Sequence, residues 1–321
     1  MHPRSVLAPV ELPEVDRKII RNLQADGRRP YVHIAKDVGI DEKTVRRRTT
    51  ELREKGIIDI TTVTDPALLD YGAIALCGLT VDISATPSQV AAELARIDAV
   101  DYVVVATGRY DVLLEVLCRD SADLLRVIEK EIRAVPAIRT CETFPYLWLH
   151  YQQQQWDAAQ TDLTGQGRID SGKVLDPIDR KLVKVLNEDA RAPFRQIADQ
   201  VGISESQVRQ RVTQLTGSGA VRVMAITNPF NLGFRRLAWL GINVGPGTSA
   251  RDVVDRLSRV PSIAYLAVCA GRFDILAEAV CIDDRDLLRV LDRDIRPMVG
   301  VRQVESWVFL EAHYKRLRPI F

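Results

Sequence analysis

The chain is short of the residues that mark an enzyme or a secreted scaffold. Its 321 residues hold five cysteines and four histidines. Cys77, Cys118, Cys141, Cys269 and Cys281 each stand alone in apolar, strand-like runs, with no CxxC and no histidine cluster beside them. That excludes a disulfide framework and any zinc spacing, and reads as reduced thiols packed as small hydrophobes. No apolar run approaches the ~18–20 residues of a membrane span, and the first residues lack a signal-peptide h-region, so a cytoplasmic protein is expected. No nucleotide-binding glycine loop, catalytic triad or metal-ligand spacing occurs. No catalytic residue, metal or cofactor is therefore expected. Net charge is only +1, so no overall basic character announces a nucleic acid.

What the chain does have is a second copy of itself. At an offset of 163 residues Asp16-Arg17-Lys18 falls on Asp179-Arg180-Lys181, Gly108-Arg109-Tyr110-Asp111 on Gly271-Arg272-Phe273-Asp274, and His150-Tyr151 on His313-Tyr314. Sixteen of the thirty-three pairs from residue 16 to 48 are identical, and no gap is needed anywhere. Solenoid repeats run ~20–50 residues, so a unit this long is a duplicated set of whole domains. The charge is uneven too. Residues 13–60 carry twelve Lys/Arg against nine Asp/Glu, and 175–223 carry eight against six.

Each copy opens with helical periodicity. Val15, Ile19, Ile20 and Leu23 share a helical face, and Asp26-Gly27-Arg28-Arg29-Pro30 stops that helix and opens the next. A short helix with Val32, Ile34, Ala35 and Val38 ends at Gly39. Asp41 then caps a third helix carrying Val45, Thr49 and Leu52, which closes at Lys55-Gly56. The second copy repeats the pattern through Leu182, Leu186, Pro193, Ile197, Ala198, Gly202 and the cap Ser204. Three short helices, the last two joined by Val-Gly-Ile, are a helix-turn-helix grammar.

The periodicity then turns strand-like. Strands are expected at Ile74–Ile83, Val100–Thr107, Val112–Cys118 and Ile138–Tyr151, with helices at Pro87–Ile97 and Ser121–Ala134. The second copy gives strands Leu237–Val244, Ile263–Ala270, Ile275–Cys281 and Val301–His313, with helices Ala250–Arg259 and Arg285–Arg296. The order βαββαβ is the ferredoxin-like pattern. The fold class is α+β: two copies of a winged or three-helix head followed by a βαββαβ body. The domains run 13–62 (head), 63–151 (body), 175–225 (head) and 226–316 (body). Residues 1–12 form an expected disordered arm, and the Gln-rich 152–174 an expected linker of about 26 Å mean reach.

The third helix of each head is the candidate DNA reader. Val45 points inward, which leaves Lys43, Thr44, Arg46 and Arg47 outward near the helix N-terminus, where a recognition helix meets base edges and phosphates. The second copy offers Ser206, Gln207, Arg209 and Gln210. A solvated helix face is the bland alternative, and two such grammars in register favour double-stranded DNA over it. Arg48 and Arg211 recur at one place and are expected to brace the head.

At these residues the chain resembles the Lrp/AsnC (feast/famine) transcription regulators. The resemblance rests on Asp16, Ile19-Ile20, Leu23-Gln24, Asp26-Gly27-Arg28, Ile34-Ala35, Val38-Gly39-Ile40, Gly56-Ile57-Ile58 and Asp65-Pro66. Gly219-Ala220-Val221, Asn228-Pro229 and Leu232-Gly233-Phe234 carry it in the second copy. It spans roughly residues 14–151 and 175–315. It implies an operator-binding regulator whose RAM-type bodies pair through their sheets, assemble as homo-oligomers, and bind an amino acid or similar small effector beside a Gly-x-(Tyr/Phe)-Asp loop. The implied effector residues are Gly108, Arg109, Tyr110 and Asp111, and Gly271, Arg272, Phe273 and Asp274. A tight hairpin with the Asp satisfying turn amides is an equal alternative for the loop by itself.

The chain departs from the usual family pattern by its fusion and by its divergence between copies. Thr140 and Thr143 of the first copy align with Gln303 and Ser306 of the second, and Thr107 with Ala270. The hydroxyls make the first copy the expected better sensor. The unlike reading helices imply an operator with two dissimilar half-sites. Two alternatives stay open: a DNA-bending architectural protein, and a sirohaem decarboxylase on the same duplicated fold, to which His150 and His313 would be the pointers.

Overall fold

The computed structural model describes residues 12–64, 66–151, 175–227 and 229–314; the expected arm and linker lie outside them, save Leu12. The first copy runs α1 (Glu14–Ala25), α2 (Tyr31–Val38), α3 (Glu42–Glu54), β1 (Ile58–Thr64), β2 (Ala73–Val81), α4 (Pro87–Leu94), β3 (Val100–Ala106), β4 (Val112–Cys118), α5 (Ser121–Val127) and β5 (Ile138–Tyr151). The second runs α6 (Pro177–Glu188), α7 (Phe194–Val201), α8 (Glu205–Gly217), β6 (Val221–Thr227), β7 (Arg236–Val244), α9 (Ala250–Leu257), β8 (Ile263–Cys269), β9 (Ile275–Cys281), α10 (Asp284–Arg289) and β10 (Val301–Tyr314). These elements gather into two compact units, one holding both heads and the other both bodies. Heads pair with heads, and bodies with bodies.

In the head unit local sequence decides the helices. Ile19, Ile20 and Leu23 of α1 are fully buried against Ile34, Val45 and Leu52. Leu12, expected in the arm, is only 6% exposed and joins this core. α2 starts after Pro30 and ends at Gly39, whose φ is 79°. Asp41 Oδ1 accepts from the Thr44 N–H at 2.8 Å and fixes the start of α3. Ser204 caps α8, and Gln207 reaches back to the Ser204 N–H at 3.0 Å, completing a capping box.

The strands β1 and β6 were no part of the expected strand set. They pair antiparallel with each other, from Ile58 opposite Thr227 to Thr64 opposite Val221, as a two-stranded sheet across the copies. A lone strand leaves its ladder unpaired, and the partner here lies a full repeat away in sequence. Two arginines lock the same junction. Arg28 donates to the carbonyls of Ala190 (2.6 Å) and Ala192 (2.8 Å), and Arg191 to those of Gly27 (2.5 Å) and Arg29 (3.2 Å). Burial lowers the pKa of both, and the neighbouring Arg191 lowers that of Arg28 further. Gly27 donates its N–H to Val223 O at 2.7 Å, and a Cβ there would lie 2.7 Å from Met224 N, against backbone.

In the body unit eight strands close into one barrel, in the order β10-β3-β4-β2-β5-β8-β9-β7. Each body supplies four strands in ferredoxin-like order, and the last strand of each is long enough to serve both copies. Residues 138–145 of β5 pair with β2, and residues 146–151 with β8 of the other copy. β10 does the same with β7 and then β3. Closure leaves this sheet without a free edge. Val90, Ala91, Leu94, Val127 and Ile132 cover one sheet, and Val253, Val254, Leu257, Val290 and Ile295 the other. The helices expected to run unbroken to Ala134 and Arg296 are α-helical only to Val127 and Arg289. They continue as π-helical turns at Ile128–Ile132 and Val290–Ile295.

Candidate functional site

The third helix of each head presents the residues singled out from sequence, but not all of them freely. Lys43 and Gln210 are exposed. Thr44 is half-buried, and its hydroxyl donates to Asp41 Oδ2 at 2.7 Å, which helps hold that carboxyl below its usual pKa. Arg47 pairs with Glu51 at 2.6 Å. Ser206 Oγ lies 3.0 Å from Ser204 Oγ, and Gln207 serves the cap. Arg46 pairs with Glu42 at 3.0 Å and lies 5.0 Å over the Tyr31 ring; Arg209 pairs with Glu205 at 3.1 Å and lies 4.9 Å over Phe194. The opposite copy covers the same rings, with Arg191 4.2 Å from Tyr31 and Arg28 4.5 Å from Phe194. Each ring thus ties the third helix of its head to the head junction, and cation–π contacts of this kind are worth about 0.5–2 kcal/mol. Arg48 and Arg211 brace the heads, through Asp16 (2.9 Å) and through Asp176 (2.6 Å) with Asp179 (2.8 Å).

In the body unit the two Gly-x-(Tyr/Phe)-Asp loops split into inward and outward parts. Gly108 (φ 115°) and Gly271 (φ 133°) sit in the left-handed region, and each lets an aromatic of the other copy come close. A Cβ would be 3.1 Å from Trp307 at Gly108 and 3.3 Å from Phe144 at Gly271. Tyr110 and Phe273 are 2% and 1% exposed, packed with Phe144 and Trp307 inside the barrel. The Asp carboxylates meet strand ends rather than turn amides: Asp111 Oδ2 accepts from Val81 N and Asp274 Oδ2 from Val244 N, both at 2.8 Å. The arginines cross between copies, with Arg109 donating to Glu305 (3.1 Å) and Arg272 to Glu142 (3.0 Å). Glu142 also accepts from Tyr110 Oη at 2.5 Å, and this bond with burial raises the tyrosine pKa. Phe273 has no hydroxyl to give Glu305.

A recess of about 430 Å³ opens beside the second loop, lined by Asn243, Val244, Arg272, Asp274, Arg302, Gln303 and Glu305. At the matching first-copy positions Thr80 and Thr140 bond each other through their hydroxyls at 2.7 Å. Thr143 faces the sulfurs of Cys77 (3.8 Å) and Cys141 (3.9 Å). The hydroxyls of Thr140 and Thr143, expected to favour the first copy, are therefore partnered within the protein. Sequence reasoning also missed two carboxylates on the barrel wall, Glu115 buried and Glu278 half-buried. Glu115 is 8% exposed and accepts from Tyr146 (2.7 Å) and Tyr265 (2.8 Å). Its counterpart Glu278 has one weak donor, Tyr102 at 3.5 Å, and burial pushes its pKa up to about 7. The signal was present, because an acid recurs mid-strand in VLLEVLC and ILAEAVC.

His150 lies half-buried, with its ring 5.5 Å from that of Trp148. His313 is 4% exposed, with Nε2 2.9 Å from Glu311. Neither lines the recess. The described residues include no metal-binding cluster and no helix long and apolar enough to cross a membrane.

Comparison with known proteins agrees with this architecture. The AsnC-type helix-turn-helix domain matches residues 12–53 and 175–216, and the Lrp/AsnC ligand binding domain residues 74–155 and 237–319. The HTH-type transcriptional regulator Ptr1 of Methanocaldococcus jannaschii is 36% identical over 129 residues, 40% of this chain and 86% of that protein. The HTH-type transcriptional regulator FL11 of Pyrococcus horikoshii is 34% identical over 140 residues, 43% of this chain and 91% of that one. Each of these matches is shorter than one repeat. The sirohaem decarboxylase NirDL shares the duplicated fold, with a TM-score of 0.61 over 96% of this chain and 94% of its own, at 15% identity. With both domain types matched twice, in order and at the repeat spacing, the chain belongs to the Lrp/AsnC family of DNA-binding helix-turn-helix transcription regulators.

Proposed function

We propose that this regulator senses a free amino acid, or a similar zwitterion, in its second body, and that it does no chemistry on it. The observation that carries this reading is the composition of the recess beside Asp274. Arg272 and Arg302 offer guanidinium groups to a carboxylate, and Asp274 and Glu305 offer oxygens to an ammonium. Glu142 is occupied by two donors, while Glu305 has one, so the second copy keeps the freer carboxylate. This inverts the expectation from the threonine hydroxyls. Neither His150 nor His313 lines the recess beside Asp274, which supports a regulator over a tetrapyrrole enzyme.

Effector binding at the bodies then shifts the operator affinity of the heads, a coupling between two distinct sites. Leu147 and Leu310, equivalent on the two bridging strands, are 69% and 56% exposed and support assembly of several chains into a homo-oligomer. The test is calorimetric titration of the full chain with a panel of amino acids. Arg302→Gln should weaken binding of the active amino acid at least tenfold, and the equivalent Arg139→Gln should leave it unchanged. Equal loss from both would sink the assignment to the second copy. Heat from no amino acid, in the presence or absence of operator DNA, would sink the effector class.

A further inference from the structure

A second recess, of about 460 Å³, opens within the head unit, and the effector reading does not use it. Tyr31, Arg46 and Arg53 of the first copy line it together with Arg191 of the second. The carboxylates of Glu42 and Asp189 also reach it, but each is already engaged. Glu42 accepts from Arg46 at 3.0 Å, and Asp189 accepts from the Arg191 backbone N–H at 3.0 Å. Arg53, in the last turn of α3, is exposed, and no carboxylate pairs with it among the described residues. Burial lowers the pKa of Arg191 first, and repulsion from Arg53 and Arg46 lowers it further. The recess is thus lined by two carboxylates and three guanidinium groups, a positive excess, with the guanidinium groups of Arg53 and Arg46 repelling that of Arg191. Their mutual repulsion is relieved when an anion enters.

The framework is rigid enough to be a site. Arg191 is fixed by its two carbonyl bonds, and the Tyr31 ring is held between Arg191 (4.2 Å) and Arg46 (5.0 Å). The twin position in the other half has Arg28, Arg209 and Phe194, but Thr216 stands where the first copy has Arg53. Both the third cation and the phenol are lost there. The site is built once per chain.

We infer that this recess binds a phosphate group, held by Arg46, Arg53 and Arg191. Guanidinium N–H groups match phosphate oxygens in a fork geometry that a lysine ammonium, a point charge, lacks. The phosphate comes either from the DNA backbone or from a free phosphorylated small molecule, and the two sources share this chemistry. In either case the first head carries an anion contact that the second lacks.

Two assays on the full chain separate the sources: calorimetric titration with inorganic pyrophosphate in the absence of DNA, and duplex affinity across a salt series. If the backbone supplies the phosphate, Arg53→Gln weakens every duplex by a similar factor of about 3–10. It also lowers the salt slope by about one, and pyrophosphate competes with DNA. If a free molecule supplies it, pyrophosphate binds once per chain, Arg53→Gln weakens it at least tenfold, and the salt slope holds. Thr216→Arg restores the missing cation to the second head and strengthens whichever assay responds. An Arg53→Gln chain unchanged in both assays overturns the inference. Arg53 is exposed, so the substitution leaves the head core intact.

Discussion

In the head unit Arg28 and Arg191 make the same paired bonds to carbonyls of the opposite copy, whereas Tyr31 and Arg53 of the first copy stand opposite Phe194 and Thr216 of the second. The body unit repeats that division. Arg109–Glu305 and Arg272–Glu142 are equivalent bridges at 3.1 and 3.0 Å, while only Tyr110 adds a hydroxyl bond and only the second loop opens onto the recess described above. The arginine contacts between the copies are kept in both directions. Positions that line the two recesses have diverged. A homodimer cannot separate the two, since one sequence must serve both sides; fusion allows it.

The symmetric contacts should be the costliest to lose. Arg191→Ala leaves the carbonyls of Gly27 and Arg29 without their donor and uncovers the Tyr31 ring, a loss of about 3–5 kcal/mol. Arg28→Ala should cost the same in denaturant unfolding. A large loss from one and not the other would break the symmetry of the clamp.

Glu278 and Glu115 form the next comparison. Burial raises Glu278 from 4.5 to about 7 in the folded chain. The folded state therefore holds a proton that the unfolded state has released, so this stability is full below about pH 4.5. It is lost as pH climbs through about 7, by an amount on the order of 3 kcal/mol. Glu278→Gln should flatten that decline in melting experiments between pH 5 and 7.5. A wild-type chain that gains stability over this range would contradict the assignment.

Gly27 and Ala190 are equivalent yet not interchangeable. Gly27→Ala drives a Cβ into the Met224 backbone and should cost about 2 kcal/mol. Ala190→Gly should cost less than about 1 kcal/mol. In the bodies a comparably small effect is expected, where Tyr110→Phe makes the first loop like the second and should lose about 1 kcal/mol with the Glu142 bond.

How much of this was legible beforehand follows from range along the chain. Caps such as Asp41 and Ser204, and the βαββαβ order, depend on neighbours a few residues away, so the pattern reveals them. The β1–β6 ladder and the double service of β5 and β10 depend on partners a repeat distant, and the strands carry no mark of it. The candidate site divides likewise. The loop residues could be named from the motif, but that Tyr110 and Phe273 point into the barrel, and that Thr140 spends its hydroxyl on Thr80, are matters of packing. Nothing in the local pattern sets Arg53 apart from other exposed charges. Only the approach of Arg191 from the other copy gives it a role.

The central claim is that the two heads read differently while being held alike. It is tested most directly by selecting the preferred operator from randomised duplexes with the full chain. The affinity of that operator is then compared with its left–left and right–right palindromes at one salt concentration. Two unlike half-sites should be selected, and each palindrome should bind at least tenfold more weakly, as mismatches costing about 1–3 kcal/mol apiece require. A palindrome bound as tightly as the selected operator would contradict the account.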